Sequence, residues 1–277
     1  MTLPRPWLWL SLAAALLAGA GSVVGLVATS RVYGRETALL ADTAVAQDVV
    51  NLALAAPAMA ALAVAAARGS VRSHLCLLGL LAFTVYNYAI YAFSLHFGPL
   101  FLVWVGVLGL ALFALIGSVS AVDVAQVESR FAHRAMPRTA GFLVAVALLF
   151  GAVWMSEIVP DLVAGRPSTS ASDWRVPSNP VHVLDLAFFL PALALSGVLL
   201  LRRHPMGYAT VVGQLVWIAS TCLPILVVPF VSSARGHEAV WAIEAPIGIL
   251  CAVTLVVLGL LLRRMSGPPE GRPSQPD

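Results

Sequence analysis

Residues 48–68 read DVVNLALAAPAMAALAVAAAR, and residues 182–202 read HVLDLAFFLPALALSGVLLLR. Each stretch has the length and apolar character of a membrane helix, which needs about 20 mostly apolar residues to cross the hydrocarbon core. Each carries a proline at the same place, Pro57 and Pro191, and each ends on an arginine, Arg68 and Arg202. Six further apolar runs surround these two. The pattern predicts eight spans, at about 7–29, 45–67, 75–95, 99–121, 139–158, 180–201, 208–231 and 239–262. The expected fold class is therefore all-α integral membrane, an eight-helix transmembrane bundle.

The composition agrees. Of 277 residues, 60% are hydrophobic and 10% charged, whereas a soluble domain carries roughly 25% charged residues. Lysine is absent, so all 16 basic residues are arginine and a retinal-type Schiff base is excluded. The formal charge of +3, with no basic stripe outside short loops, argues against a nucleic-acid partner. Cys76, Cys222 and Cys251 lie within apolar runs and form no CxxC or zinc spacing; they read as small buried hydrophobes.

Alternating the eight spans puts Arg5, Arg68, Arg72, Arg130, Arg134, Arg138, Arg202, Arg203, Arg263, Arg264 and Arg272 on one side, and Arg31, Arg35, Arg166, Arg175 and Arg235 on the other. The positive-inside rule assigns the richer side to the cytoplasm, with both termini there. The first span has a weak cleavage-like site at Ala18–Ala20, but the charge pattern closes when it is retained as a helix. Residues 266–277 are Pro/Gly-rich and polar, and are expected to be a disordered cytoplasmic tail.

The two opening stretches match at an offset of 134 residues, and Gly79 meets Gly213 at the same offset. This predicts two halves of four spans, 1–125 and 139–265, joined by a cytoplasmic linker at 126–138. Four spans is an even number, so the halves are parallel repeats about an axis along the membrane normal. Chance similarity between two Ala/Leu/Val-rich texts is the competing reading. Each mid-span proline removes a backbone bond and is expected to kink its helix, freeing the carbonyls of Ala53 and Ala187 for a neighbour or water. The GxxxG of residues 21–25 is expected to mark close helix packing.

Ionisable groups within spans are costly and are candidates for function. Here they gather toward the outer side. Asp48 with Asn51, and His182 with Asp185, each have i,i+3 spacing and share a helix face. Asn87 and Tyr91 are i,i+4 neighbours in the outer part of span 3, which ends at His96; Glu157 ends span 5 and Glu244 lies near the outer end of span 8. The cytoplasmic half offers little beyond Gln214. Each residue also has a plain structural reading: Asp48 and Asp185 as helix N-terminal carboxylates, Asn179 before Pro180 as an N-cap, the histidines and glutamates as interface residues, the tyrosines as an aromatic belt.

The stretches Gln47–Leu52 (QDVVNL), Tyr86–Tyr91 (YNYAIY) running on to His96–Phe101 (HFGPLF), and His182–Ala187 (HVLDLA) with Pro191 resemble motifs of an uncharacterised group of bacterial, high-GC, actinobacterial-like multi-pass membrane proteins. The resemblance covers most of the chain. It implies an α-helical membrane fold in a bacterial inner membrane, and brings no activity, cofactor or catalytic residue.

The leading expectation is a plasma-membrane protein with an outward-facing polar pocket between the two halves, binding a small molecule or a lipid headgroup. Asp48, Asn51, His182 and Asp185 would line it, with Asn87, Tyr91, His96 and Glu157 near. The alternative is a membrane-embedded enzyme acting on a lipid or isoprenoid, with Asp185 and Glu157 as acid and base. A metal-assisted version would draw on His96, His182 and Asp185 from separate helices, although no HExxH or HxxxH spacing is present. A transporter is a further alternative; the apolar inner half counts against it, because a transport path needs polar lining or a gate on both sides of its site. A structural or assembly role needs no pocket. No cofactor is indicated, and the oligomeric state is open.

Overall fold

The computed structural model describes residues 2–131 and 134–265. The expected tail, with Arg272, lies outside the described residues. All regular structure among those residues is helical. Eight helices are long and apolar enough to cross a membrane: span 1 (Arg5–Val27), span 2 (Ala38–Ala67), span 3 (Val71–Ser94), span 4 (Phe101–Ser120), span 5 (Pro137–Val163), span 6 (Pro180–Leu201), span 7 (Pro205–Ala234) and span 8 (Glu244–Arg264). The chain is a polytopic α-helical membrane protein. Short helices at Thr29–Tyr33, Val124–Arg130 and Thr169–Trp174 sit in the connectors.

Span 2 starts seven residues before its expected position because Thr37 caps it, its hydroxyl accepting the Leu40 N–H at 3.3 Å. A side-chain acceptor at this place satisfies one of the free N–H groups of the first turn. The shift brings Asp42 into the helix. Span 8 starts later than expected, so Glu244 opens its first turn. Asn179 caps span 6, with Pro180 as the first helical residue.

The prolines act differently from a simple kink. Each follows a five-residue π-helical turn, Asn51–Ala55 in span 2 and Asp185–Phe189 in span 6. The Ala56 N–H bonds the Asn51 carbonyl, and the Leu190 N–H bonds the Asp185 carbonyl, five residues back in both cases. The wide turn inserts one residue, and regular helix resumes with Pro57 or Pro191 among its first residues, where a missing N–H costs little. Downstream the two helices end alike: Gly69 and Arg203 both take positive φ, 94° and 54°. The Ser70 N–H then bonds the Ala65 carbonyl, as the His204 N–H bonds that of Leu199. All of these pairs are 134 residues apart.

Span 3 is the most buried helix, packed on spans 2, 4 and 7. Span 1 packs on spans 2 and 4, span 7 on spans 2, 6 and 8, and span 5 on span 6. Small residues allow the close approaches. A β-carbon at Gly117 would fall on the Trp7 ring, and one at Gly21 would lie 2.9 Å from a methyl of Val103. Gly25, the other glycine of the GxxxG, has a second role: its missing side chain leaves room for the Asp48 carboxyl and the Tyr33 hydroxyl. Spans 5 and 8 are the least buried and do not form a packed pair, whereas spans 1 and 4 do. Cys76, Cys222 and Cys251 are free, and the last two are buried.

Candidate functional site

The residues singled out from sequence divide into two acidic centres, one on each side of span 3. Tyr88 and Tyr91 share one face of that helix, and Tyr86 stands roughly 200° away from Tyr88 at about 100° per residue. The first face looks toward spans 1 and 2, the second toward spans 6 and 7.

The first centre is built on Asp48. Its carboxyl accepts from the Ser22 hydroxyl at 3.0 Å, the Tyr33 hydroxyl at 2.6 Å and the Tyr91 hydroxyl at 3.3 Å. Tyr91 also donates to the Ala44 carbonyl at 2.8 Å. Burial and the neighbouring Asp48 carboxyl push the Tyr33 phenol above its ordinary range, so it stays a donor. Trp104 packs against Tyr33 and Tyr91, with centroids 6.4 and 5.5 Å apart. Asn51 accepts from Gln47 at 2.9 Å, and its Nδ2 points to the Tyr88 hydroxyl at 3.5 Å. Asp48, Asn51 and Tyr91 are all buried. The centre is closed and its carboxyl is satisfied.

The second centre is built on Asp185 and His182. The Trp154 indole N–H donates to Asp185 Oδ2 at 2.8 Å, and the Tyr86 hydroxyl lies beside the same carboxyl. Asp185 Oδ1 is buried and has no hydrogen-bond partner. His182 lies under Trp154, with ring centroids 4.7 Å apart. Its Nε2 is 3.3 Å from Glu157 Oε2 but without a hydrogen bond of good geometry. His182 and Asp185 are 6% exposed, while the Glu157 side chain is 47% exposed. This centre is incomplete inside and reaches the surface through Glu157.

Asn87 is buried with its Nδ2 unpartnered, and joins neither network by a direct bond. His96 belongs elsewhere: its backbone N–H and its Nδ1 meet the two oxygens of Glu36 at 2.8 and 2.9 Å, tying the connector after span 1 to the one after span 3. The suggested metal set of His96, His182 and Asp185 is therefore not assembled. Among the described residues no group of three or more His, Cys, Asp or Glu side chains is placed to hold a metal ion.

Sequence reasoning missed a third cluster. Asp42, 1% exposed, takes Arg235 Nε at 2.9 Å, His237 Nδ1 at 2.8 Å and the Ser232 hydroxyl at 2.7 Å. It fastens span 2 to the end of span 7. The half of the bundle away from the three acidic clusters also holds more than Gln214: His74 is buried with Nε2 2.9 Å from the Ser118 carbonyl. Gln214, whose Nε2 donates to Ser196 at 3.3 Å, lines an otherwise apolar cleft of about 240 Å³ between spans 3, 4, 6 and 7. Phe189 and Trp217, stacked at 4.8 Å, line this cleft and pack edge-on against Tyr86.

No family model, no curated protein and no solved structure matches this chain. The functional reading rests on its own geometry.

Proposed function

We propose that the chain is a bacterial plasma-membrane protein that binds a small amphiphile or a lipid headgroup in its outer leaflet, at the second centre. Asp185 and His182 hold the ligand, with Glu157, Trp154 and Tyr86 around them. The observation that carries this reading is the unpartnered Asp185 Oδ1 and His182 Nε2, both buried next to a half-exposed Glu157. A buried polar atom without a partner costs about 1–3 kcal/mol, and such groups inside a membrane mark binding or transfer sites. The Asp48 centre occupies the corresponding place in the first half, and its three hydroxyl donors fit a structural role.

The arginine asymmetry supports cytoplasmic termini, which puts both centres in the outer leaflet. Two parallel repeats are supported by the paired π turns, the paired helix ends and the contact of Gly79 with Gly213. Entry to the second centre is lateral, on the side where spans 5 and 8 leave each other unpacked. Native mass spectrometry of protein extracted into nanodiscs tests the reading. The wild type is expected to carry a bound amphiphile that His182→Ala/Asp185→Ala loses while keeping its elution profile. Equal retention by both proteins would sink the proposal.

The His182–Glu157 pair favours a second reading, an enzyme acting on a lipidic substrate. A carboxylate that orients an imidazole suits it to proton transfer. Product-like lipids co-purifying with the wild type, and absent from Glu157→Gln, would favour it.

A further inference from the structure

We infer that the ligand of the second centre presents a primary or secondary ammonium group to Asp185. This deepens the binding reading and rests on it. The argument is one of charge and donors. Every other buried aspartate of the described chain has its charge answered within the protein, by hydroxyl donors or by a facing arginine; Asp42 Oδ1, without a hydrogen bond of good geometry, still has the Arg235 guanidinium at 2.9 Å. Asp48 has three hydroxyls, Asp42 has Arg235, His237 and Ser232, and Asp161 has Arg166 at 2.8 Å with the Thr169 N–H and hydroxyl. Asp185 has the Trp154 indole on Oδ2 and the Tyr86 hydroxyl beside the carboxyl, and its buried Oδ1 is left without a hydrogen bond of good geometry.

No arginine side chain of the described residues pairs with Asp185 or Glu157, and Arg166, on the connector from span 5 to span 6, is held by Asp161. The centre thus brings two carboxyls and one imidazole together without a fixed cation. Asp185 Oδ1 has no hydrogen bond of good geometry and no cation facing it, so the protein leaves the charge of the ionised form unanswered.

An ammonium N–H completes the ionised form with a charge-assisted bond, the strongest available. A phosphate or a fatty-acid carboxylate would instead meet two like charges. A hydroxyl would fill the hydrogen bond and leave the charge unanswered. A quaternary ammonium has no N–H, so Oδ1 would stay unpaired. Asp185 lies five residues into span 6, roughly 7 Å below its first turn at 1.5 Å per residue, so an amine that carries its own apolar chain reaches it most directly.

The test uses the full chain in phosphatidylcholine nanodiscs, with adducts counted by native mass spectrometry. Dodecylamine, dodecanol and dodecanoate share one chain and differ in the head. Dodecylamine is expected to form adducts about ten-fold more readily than the other two, the ratio that one charge-assisted bond supplies. Asp185→Asn is expected to bring dodecylamine down to the level of dodecanol, and Glu157→Gln, altered at a half-exposed site, to lower it while leaving the fold intact. Nanodiscs with phosphatidylethanolamine replacing a third of the phosphatidylcholine, and free ethanolamine in the buffer, separate a lipid amine from a soluble one. If dodecanol equals dodecylamine and both are lost from His182→Ala/Asp185→Ala, the site stands and the amine assignment falls. If every adduct persists in that double variant, the binding reading itself falls.

Discussion

Gly79 of span 3 and Gly213 of span 7, 134 residues apart, face each other where the two helices cross: a β-carbon on Gly79 would fall on the Gly213 carbonyl oxygen. In the proposed repeat, residues that meet their own counterparts would lie on the axis relating the two copies. The contact is not symmetric in detail. A β-carbon on Gly213 would find the Gly79 nitrogen at 3.4 Å and the Leu75 carbonyl at 3.6 Å, ordinary contact distances. Gly79→Ala is therefore expected to destabilise the protein by about 1–3 kcal/mol, the usual cost of overpacking. Gly213→Ala is expected to be neutral or slightly stabilising through helix propensity, by up to about 1 kcal/mol. Thermal unfolding midpoints of both variants in one detergent check this. A larger loss for Gly213→Ala would contradict the geometry.

The two acidic centres predict opposite effects of the same substitution. Asp48→Ala removes the acceptor of three buried hydroxyls, of which only Tyr91 keeps another, the Ala44 carbonyl. The expected loss is about 3 kcal/mol, from stranded donors at roughly 1–3 kcal/mol each. Tyr33→Phe should lose about half of that. Asp185→Ala breaks one bond to a half-buried indole but also removes an unpaired buried carboxyl, so stability should stay within about 1 kcal/mol of wild type. Unfolding in graded denaturant compares them. A stability loss at Asp185 matching that at Asp48 would mean that the second centre is structural too.

Much of this was legible in the sequence, and the parts that were not have physical causes. Apolar run length found all eight spans, because lipid exposure demands continuous hydrophobicity in a way no soluble fold does. Pro57 and Pro191 were visible, but the π turns before them were not, since the inserted residue leaves no mark on composition. His182 and Asp185, paired in the sequence by i,i+3 spacing, both meet Trp154 in the structure. Asp48 was grouped with them because spacing along one helix says nothing about which helix stands between two others, and span 3 stands between these. Asp42 was overlooked for want of seven residues at the start of span 2. Thr37 was the available signal, a hydroxyl one residue before Ala38.

Asp42 also sets an expectation for the connector between spans 7 and 8. It joins span 2 to Arg235 and His237, which begin the connector between spans 7 and 8. Arg235 is partly exposed and its charge can rehydrate once freed, so Asp42→Ala should cost about 1–2 kcal/mol, less than breaking a fully buried pair. The local effect should be larger than the global one, because the connector loses what fastens it. Trypsin added to the protein in detergent is expected to cut after Arg235 several-fold faster in Asp42→Ala than in wild type, at unchanged overall stability against heat within a few degrees. Equal cleavage rates would show that the cluster does not restrain the connector.

The orientation decides which lipids and solutes the second centre meets, so it has to be measured directly. With eleven arginines against five, cysteines placed at Arg166 and Arg235 should face outward, and those at Arg138 and Arg202 should face the cytoplasm. After Cys76, Cys222 and Cys251 are replaced by alanine or serine, a membrane-impermeant maleimide applied to intact cells should label the first pair. The second pair should react only after lysis. Asp161 lies in the last turn of span 5 and holds Arg166, and Asp42 holds Arg235, so Arg166→Cys and Arg235→Cys each free a carboxylate; labelling at Arg175→Cys, an exposed position on the same connector as Arg166, serves as the independent reading. The reversed pattern would move Asp185, His182 and Glu157 to the inner leaflet. The ammonium ligand would then come from the cytoplasm, and exogenous dodecylamine would reach the centre only after crossing the bilayer in its neutral form.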